Sequence, residues 1–113
     1  PWPGRIPPPA PARVLATPWE AEVLGPVGRP VVVDERGSVT CEPERFRTAP
    51  SEHWQPVAAW AGPWPIDESW WESSPRCRRA ARFQVVGIDG MAWLLVCEST
   101  RGGSTWWTEA AYD

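Results

Sequence analysis

The chain has 113 residues, of which 42% are apolar and 22% are charged, and this suits one small globular domain rather than a polymerase, a kinase or a cofactor domain. Its net charge of −3 lacks the basic excess of an obligate nucleic-acid-binding domain. No apolar run approaches the roughly 18 to 20 residues of a membrane span, and no stretch has the order of a secretory signal. We therefore expect a cytoplasmic protein with no membrane partner.

Proline content divides the chain into two regions. Residues 1–18 contain seven of the 15 prolines, which predicts a Pro-rich linker from an upstream region. Residues 19–113 alternate short β-like runs with turns, which predicts one small C-terminal domain. The spacing of Cys41, Cys77 and Cys97 fits neither a disulfide framework nor a zinc site, so we expect free thiols, no metal and no other cofactor.

Turn signals predict the order of the strands. The DERG sequence at residues 34–37 is typical of a tight hairpin, and the Asp-Gly pair at 89–90 separates two apolar runs, residues 79–88 and 91–98. The second of these runs is apolar on both faces and should be a central strand, followed by a last strand over 105–112. The predicted fold is all-β, a small antiparallel barrel or half-barrel of five to seven strands, either SH3-like or OB-like.

Residues 60–71, WAGPWPIDESWW, are the most distinctive segment of the chain. Pro63 and Pro65 hold their neighbours extended, so we expect a stiff, irregular arm that covers the barrel as a lid rather than a central strand. Each Trp has two interpretations, either a ring that closes the open end of the barrel or an exposed anchor for a partner. The four rings belong to Trp60, Trp64, Trp70 and Trp71.

A group of basic side chains follows this segment. Its members are Arg76, Arg78, Arg79 and Arg82, and in a strand Arg79 would point away from the other three. With Phe83 and nearby Trp rings, these guanidinium groups could hold the phosphates of single-stranded DNA and stack its bases. Neighbouring acids and the overall negative charge favour the other interpretation, in which they stack on aromatic rings or bind an acidic protein partner. We call residues 60–71 and 76–82 together the Trp-Arg face.

No catalytic residue is predicted. General acid–base catalysis needs two carboxyl groups in different environments, whereas Asp67 and Glu68 are sequence neighbours that point apart. His53, the one histidine, has no partner suggestive of a catalytic triad or a metal site. The chain is therefore expected not to be an enzyme.

Several of these motifs together resemble one known family. WAGPWPIDESWW, the arginines that follow it, AWLLV at residues 92–96 and the terminal AYD are similar to the C-terminal region of actinobacterial ImuB, the inactive Y-family DNA polymerase homologue of the mutasome. The resemblance extends over nearly the whole chain. It implies that a polymerase-like region lies upstream of these residues.

The resemblance also implies a function. In that family the C-terminal region is understood to recruit a RecA-like ImuA-type accessory protein and an error-prone C-family DNA polymerase for SOS-induced translesion synthesis and mutagenesis. It therefore implies a nucleoid-associated adaptor module in the DNA damage response, and we expect the Trp-Arg face to dock the ImuA-type partner. The alternative is a small barrel that binds single-stranded DNA directly and assists lesion bypass.

Overall fold

The computed structural model describes residues 13–66, 79–100 and 103–112. They form six strands: β1 (Arg13–Leu24), β2 (Arg45–Arg47), β3 (Gln55–Ile66), β4 (Arg79–Gly87), β5 (Ala92–Thr100) and β6 (Gly103–Tyr112). Each strand is antiparallel to the next one along the chain, and β6 pairs with β1, so the sheet closes into a barrel. This confirms the predicted all-β antiparallel fold. Among the described residues, no helix has the length and apolar character needed to cross a membrane.

The first strand begins inside the region that the sequence predicts to be linker. β1 starts at Arg13, and its first two residues pair with Ala111 and Ala110 of β6. The pairing then shifts and resumes at Trp19, opposite Thr108. Residues 13–18 are therefore part of the sheet, whereas residues 1–12 lie outside the described part of the chain.

The long connection between β1 and β2 contains the predicted hairpin at residues 34–37. The Asp34 N–H donates to the Ser38 carbonyl at 2.8 Å, and the Gly37 N–H donates to the Asp34 carbonyl at 3.0 Å. The Asp34 carboxylate also accepts the N–H groups of Arg36 and Ser38, at 2.9 and 3.0 Å. These bonds confirm the hairpin, because an Asp that bonds its own turn fixes the turn without help from neighbouring strands.

The three C-terminal strands form the predicted meander. Around the Asp-Gly pair, the Gly87 N–H donates to the Met91 carbonyl and the Gly90 N–H to the Gly87 carbonyl, both at 3.0 Å. β5 is buried on both faces: Leu95 packs in the main core, whereas Leu94 packs in a second cluster with Ala92, Ala110 and Tyr112. This confirms its prediction as a central strand.

The main core fills the barrel around Phe83, which has no exposed area. Its ring centroid lies 6.2 Å from that of Trp60 and 4.8 Å from that of Trp106, at tilted angles that aromatic pairs favour. The Trp106 Nε1–H donates to the Val31 carbonyl at 2.8 Å. This buried bond ties the long β1–β2 connection to the core.

The Trp-Pro segment corrects one expectation. Residues 60–66 belong to β3 and pair with β4, so they form a strand of the sheet rather than an irregular arm. Two features accommodate the prolines. The pairing with β4 shifts between Ala61 and Trp64, which leaves Pro63 outside the ladder, and β2 pairs with β3 only at Gln55 and Pro56. A proline costs little where no partner strand needs its N–H.

Candidate docking face

Trp60 and Trp64, the two described Trp residues of the Trp-Arg face, are both half-buried and occupy different environments. Trp60 is opposite Val85 of β4 and packs against the main core. Trp64 lies after the register shift and is opposite Arg82. Trp60 is therefore chiefly a core residue, whereas Trp64 remains a candidate anchor.

Part of the predicted face is outside the described residues. This part includes Trp70, Trp71, Arg76 and Arg78. Their role as partner-binding residues stays a prediction.

Arg79 and Arg82 both have protein partners. The exposed Arg79 donates through Nη1 to the Asp34 carbonyl at 2.9 Å. Arg82 forms a two-bond ion pair with Glu109, in which Nε and Nη2 donate to the two carboxylate oxygens at 2.9 and 3.0 Å. Residues 79 and 82 are three apart on β4 and have opposite parity, as the sequence predicts for a strand.

Phe83 cannot serve the DNA-binding alternative as a stacking surface. Its side chain has no exposed area and lies inside the barrel, where a base cannot reach it. Every second residue of β4 faces the inside of the barrel, so Ala81, Phe83 and Val85 all belong to the main core.

A groove of about 410 Å³ lies where the two sequence segments of the Trp-Arg face meet. Pro63, Pro65 and Ile66 line it from β3, and residues 79–81 line it from β4. The tip of the β1–β2 hairpin, residues 33–37, forms the opposing wall. The groove therefore combines apolar side chains with a charged rim, in the size range of pockets that bind ligands.

One carboxyl group, that of Asp34, and one phenol group, that of Tyr112, have shifted pKa values. The Asp34 carboxylate accepts the Ser38 N–H, and this hydrogen bond is the main cause that lowers the pKa of Asp34 below its ordinary 3.8. The N–H and the charge of Arg36 lower it further. Asp34 is therefore an anion on the rim at any physiological pH. Burial raises the pKa of Tyr112 above 10, and the Glu109 carboxylate raises it further while Arg82 opposes the rise. Tyr112 is accordingly neutral beside the ion pair.

Sequence reasoning missed an aromatic contact at the start of β3. The guanidinium carbon of Arg47 lies 4.8 Å from the ring centroid of Trp54, and that of Arg45 lies 5.6 Å away. Arg47 also forms an ion pair with Glu22 of β1. The alternation of Arg45 and Arg47 around the buried Phe46 is the signal that places both on one face of β2.

Trp19 is the most exposed large aromatic side chain among the described residues, with 37% of its surface accessible. The sequence pattern around it predicts no role for this ring. Neither Cys41 nor Cys97 is in a disulfide, and no group of three or more His, Cys, Asp or Glu side chains in the described ranges could hold a metal ion.

Comparison with known proteins identifies no relative. No protein-family model matches the chain, and neither a curated protein nor a solved structure matches it. The resemblance to the C-terminal region of ImuB therefore depends on the sequence motifs quoted above.

Proposed function

We propose that this chain is a non-enzymatic adaptor module that recruits mutasome partners for SOS-induced translesion synthesis. The RecA-like ImuA-type accessory protein docks on the Trp-Arg face, and the error-prone C-family DNA polymerase is the second partner. The observation that carries this proposal is the groove, because two segments singled out from sequence line it together.

The chemistry of the groove supports a protein partner. Pro65 is exposed and Ile66 is half-buried, so an incoming apolar side chain would cover surface that is partly open to water. Prolines in a paired strand lose little conformational entropy on binding, which leaves more of the contact energy for affinity. Charges from Asp34 and Arg79 at the rim would select among partners rather than supply most of the affinity.

A pair of proline variants tests this site. Pro65→Glu places a charge in the groove wall and should weaken binding of the accessory protein at least tenfold, which is about 1.4 kcal/mol. Pro56→Glu is the matched control, since Pro56 is exposed on the same strand and does not line the groove. Isothermal titration calorimetry measures binding, and the thermal midpoint of each variant verifies folding.

The binding results distinguish a wrong docking site from a wrong function. If both proline variants bind like the wild type, the groove is not the docking site. If the wild type binds neither the accessory protein nor the polymerase, the adaptor function itself is wrong.

A further inference from the structure

The outer face of the barrel carries an apolar patch. Inward and outward side chains alternate along a barrel strand, so Leu94 points outward beside the inward Leu95. Leu94 packs with Ala92, Ala110 and Tyr112, and we call these four residues the outer patch. The six described strands form a single closed layer, so none of them packs on top of this patch.

The outer patch is nevertheless buried. Ala110 is 1% exposed and Leu94 is 6% exposed, although the outward side chains of a one-layer barrel ordinarily face water. Two of the four residues are alanines, whose side chains are too short to cover their neighbours. Burial on this face therefore favours a further segment of chain that lies across the patch.

A buried amide lies at the edge of the outer patch. Gln84 is directly opposite Leu94 in the β4–β5 ladder, so its side chain is on the same outer face. It is 1% exposed, and neither Nε2 nor Oε1 has a hydrogen-bond partner among the described residues. Because a buried amide without partners costs free energy, such groups in folded proteins ordinarily form hydrogen bonds. A peptide backbone, with its N–H and C=O groups, would satisfy both ends of this amide.

Residues 1–12 have the chemistry of such an occupant. They include six prolines, together with the apolar side chains of Trp2 and Ile6. A polyproline II segment makes no internal hydrogen bonds, so its carbonyl groups can accept from the Gln84 amide. Segments of this kind bind to surfaces that present aromatic rings, and Tyr112 supplies a ring on the outer patch.

The position of β1 brings this segment to the patch. Arg13, the first residue of β1, is opposite Ala111, which lies between Ala110 and Tyr112. Neighbouring strands are about 4.8 Å apart, so the path from β1 over β6 and β5 to β4 is about 14 Å. Polyproline II rises about 3.1 Å per residue, so about five residues cover this distance. Residues 7–12 are therefore long enough to reach Gln84.

We propose that residues 1–12 lie across the outer patch as a polyproline II segment and that Gln84 exchanges hydrogen bonds with their backbone. The occupant of this face is thus the chain's own Pro-rich linker, which is docked on the domain rather than a free tether. The proposal does not depend on the proposed function, because no partner protein takes part in it.

NMR spectroscopy of the 113-residue chain tests the placement directly. With methyl labelling, we expect nuclear Overhauser effects from the Leu94 methyl groups to the ring protons of prolines 7–9 and 11. The methyl groups of Val27 are the matched control, because Val27 is 93% exposed in the β1–β2 connection and should show no such effect. Leu94 methyl groups that show effects only to strand residues would overturn the proposal.

Gln84→Leu tests the hydrogen bonds in the same chain. If Gln84 bonds the segment, the substitution removes these bonds and leaves backbone groups unpaired, so the thermal midpoint should fall by about 4 °C or more. If the amide has no partner, an apolar side chain of similar size suits the site better and the midpoint should stay or rise. A midpoint that stays or rises therefore contradicts the proposal.

A double-mutant cycle links Gln84 to the segment. Pro7→Ser, Pro8→Ser and Pro9→Ser together loosen the polyproline II conformation, so this triple variant should also have a lower thermal midpoint. Combined with Gln84→Leu, the total fall should be smaller than the sum of the separate falls, because both changes disrupt one contact. Additive falls would show that Gln84 and the prolines act independently, and the docked segment would be wrong.

Discussion

At the scale of single residues, the rings around Phe83 show how a Trp-rich sequence divides between core and surface. Trp106 is buried and bonds the Val31 carbonyl, Trp60 packs on Phe83, and Trp64 lies beyond a register shift opposite Arg82. Composition alone does not distinguish a core Trp from an anchor Trp, because both roles favour a large ring. Strand register decides which ring packs in the core. The prolines of β3 make this register impossible to predict from its sequence.

Trp60→Ala should act on stability. Loss of a half-buried ring that packs on the core removes apolar contacts and leaves a cavity beside Phe83, so the free energy of unfolding should fall by about 2 to 4 kcal/mol. Urea denaturation followed by circular dichroism measures this change. A variant as stable as the wild type would show that Trp60 is not a core residue.

The ion pair between Arg82 and Glu109 should contribute modestly. Its side chains are 30% and 22% exposed, so solvent screens the charges in part while both bonds hold the geometry. A double-mutant cycle with Arg82→Gln and Glu109→Gln should give a coupling of about 1 kcal/mol. A coupling near zero would show that the ion pair does not stabilise the fold, and Arg82 would then be considered only as a candidate partner-binding residue.

At the scale of elements, the hairpins and the meander were predictable, whereas β3 was not. The DERG and Asp-Gly sequences specify their turns through local bonds, which act wherever the strands go. Residues 60–66 looked unfit for a sheet because Pro63 and Pro65 lack an N–H. Because β2 is short and pairs with β3 only at Gln55 and Pro56, it does not need an N–H from either proline. The sequence of β3 itself does not show how short its neighbour is. Likewise, the groove depends on which segments the barrel brings together, and no local pattern encodes that.

The hairpin at residues 34–38 should respond to acid. Because the folded state lowers the pKa of Asp34, its contribution is present above pH 3.8 and is lost as pH falls through the folded pKa. Asp34→Asn keeps an acceptor oxygen and removes the charge, so its thermal midpoint should fall less than that of the wild type between about pH 5 and about pH 2. Parallel acid dependence of the two proteins would contradict the assigned role of the carboxylate.

At the scale of the whole molecule, the barrel should be held by packing and hydrogen bonds. Neither Cys41 nor Cys97 is in a disulfide, and the described residues include no cluster of metal ligands. Adding a reductant and a chelator together should therefore leave the thermal transition unchanged within error. A large drop in the midpoint would reveal a disulfide or a metal that stabilises the fold.

The adaptor function is tested most directly by measuring what the 113-residue chain binds as salt increases. Isothermal titration calorimetry with the accessory protein, the polymerase and a single-stranded oligonucleotide, each at 50 and 200 mM salt, compares the two candidate functions in one experiment. We expect at least one protein to bind with an affinity that changes little, because Pro63, Pro65 and Ile66 supply apolar contacts that salt does not screen, beside the charged rim of the groove. An oligonucleotide that binds while neither protein does, and that loses roughly twentyfold in affinity over this range as three phosphate contacts would require, would contradict the adaptor function.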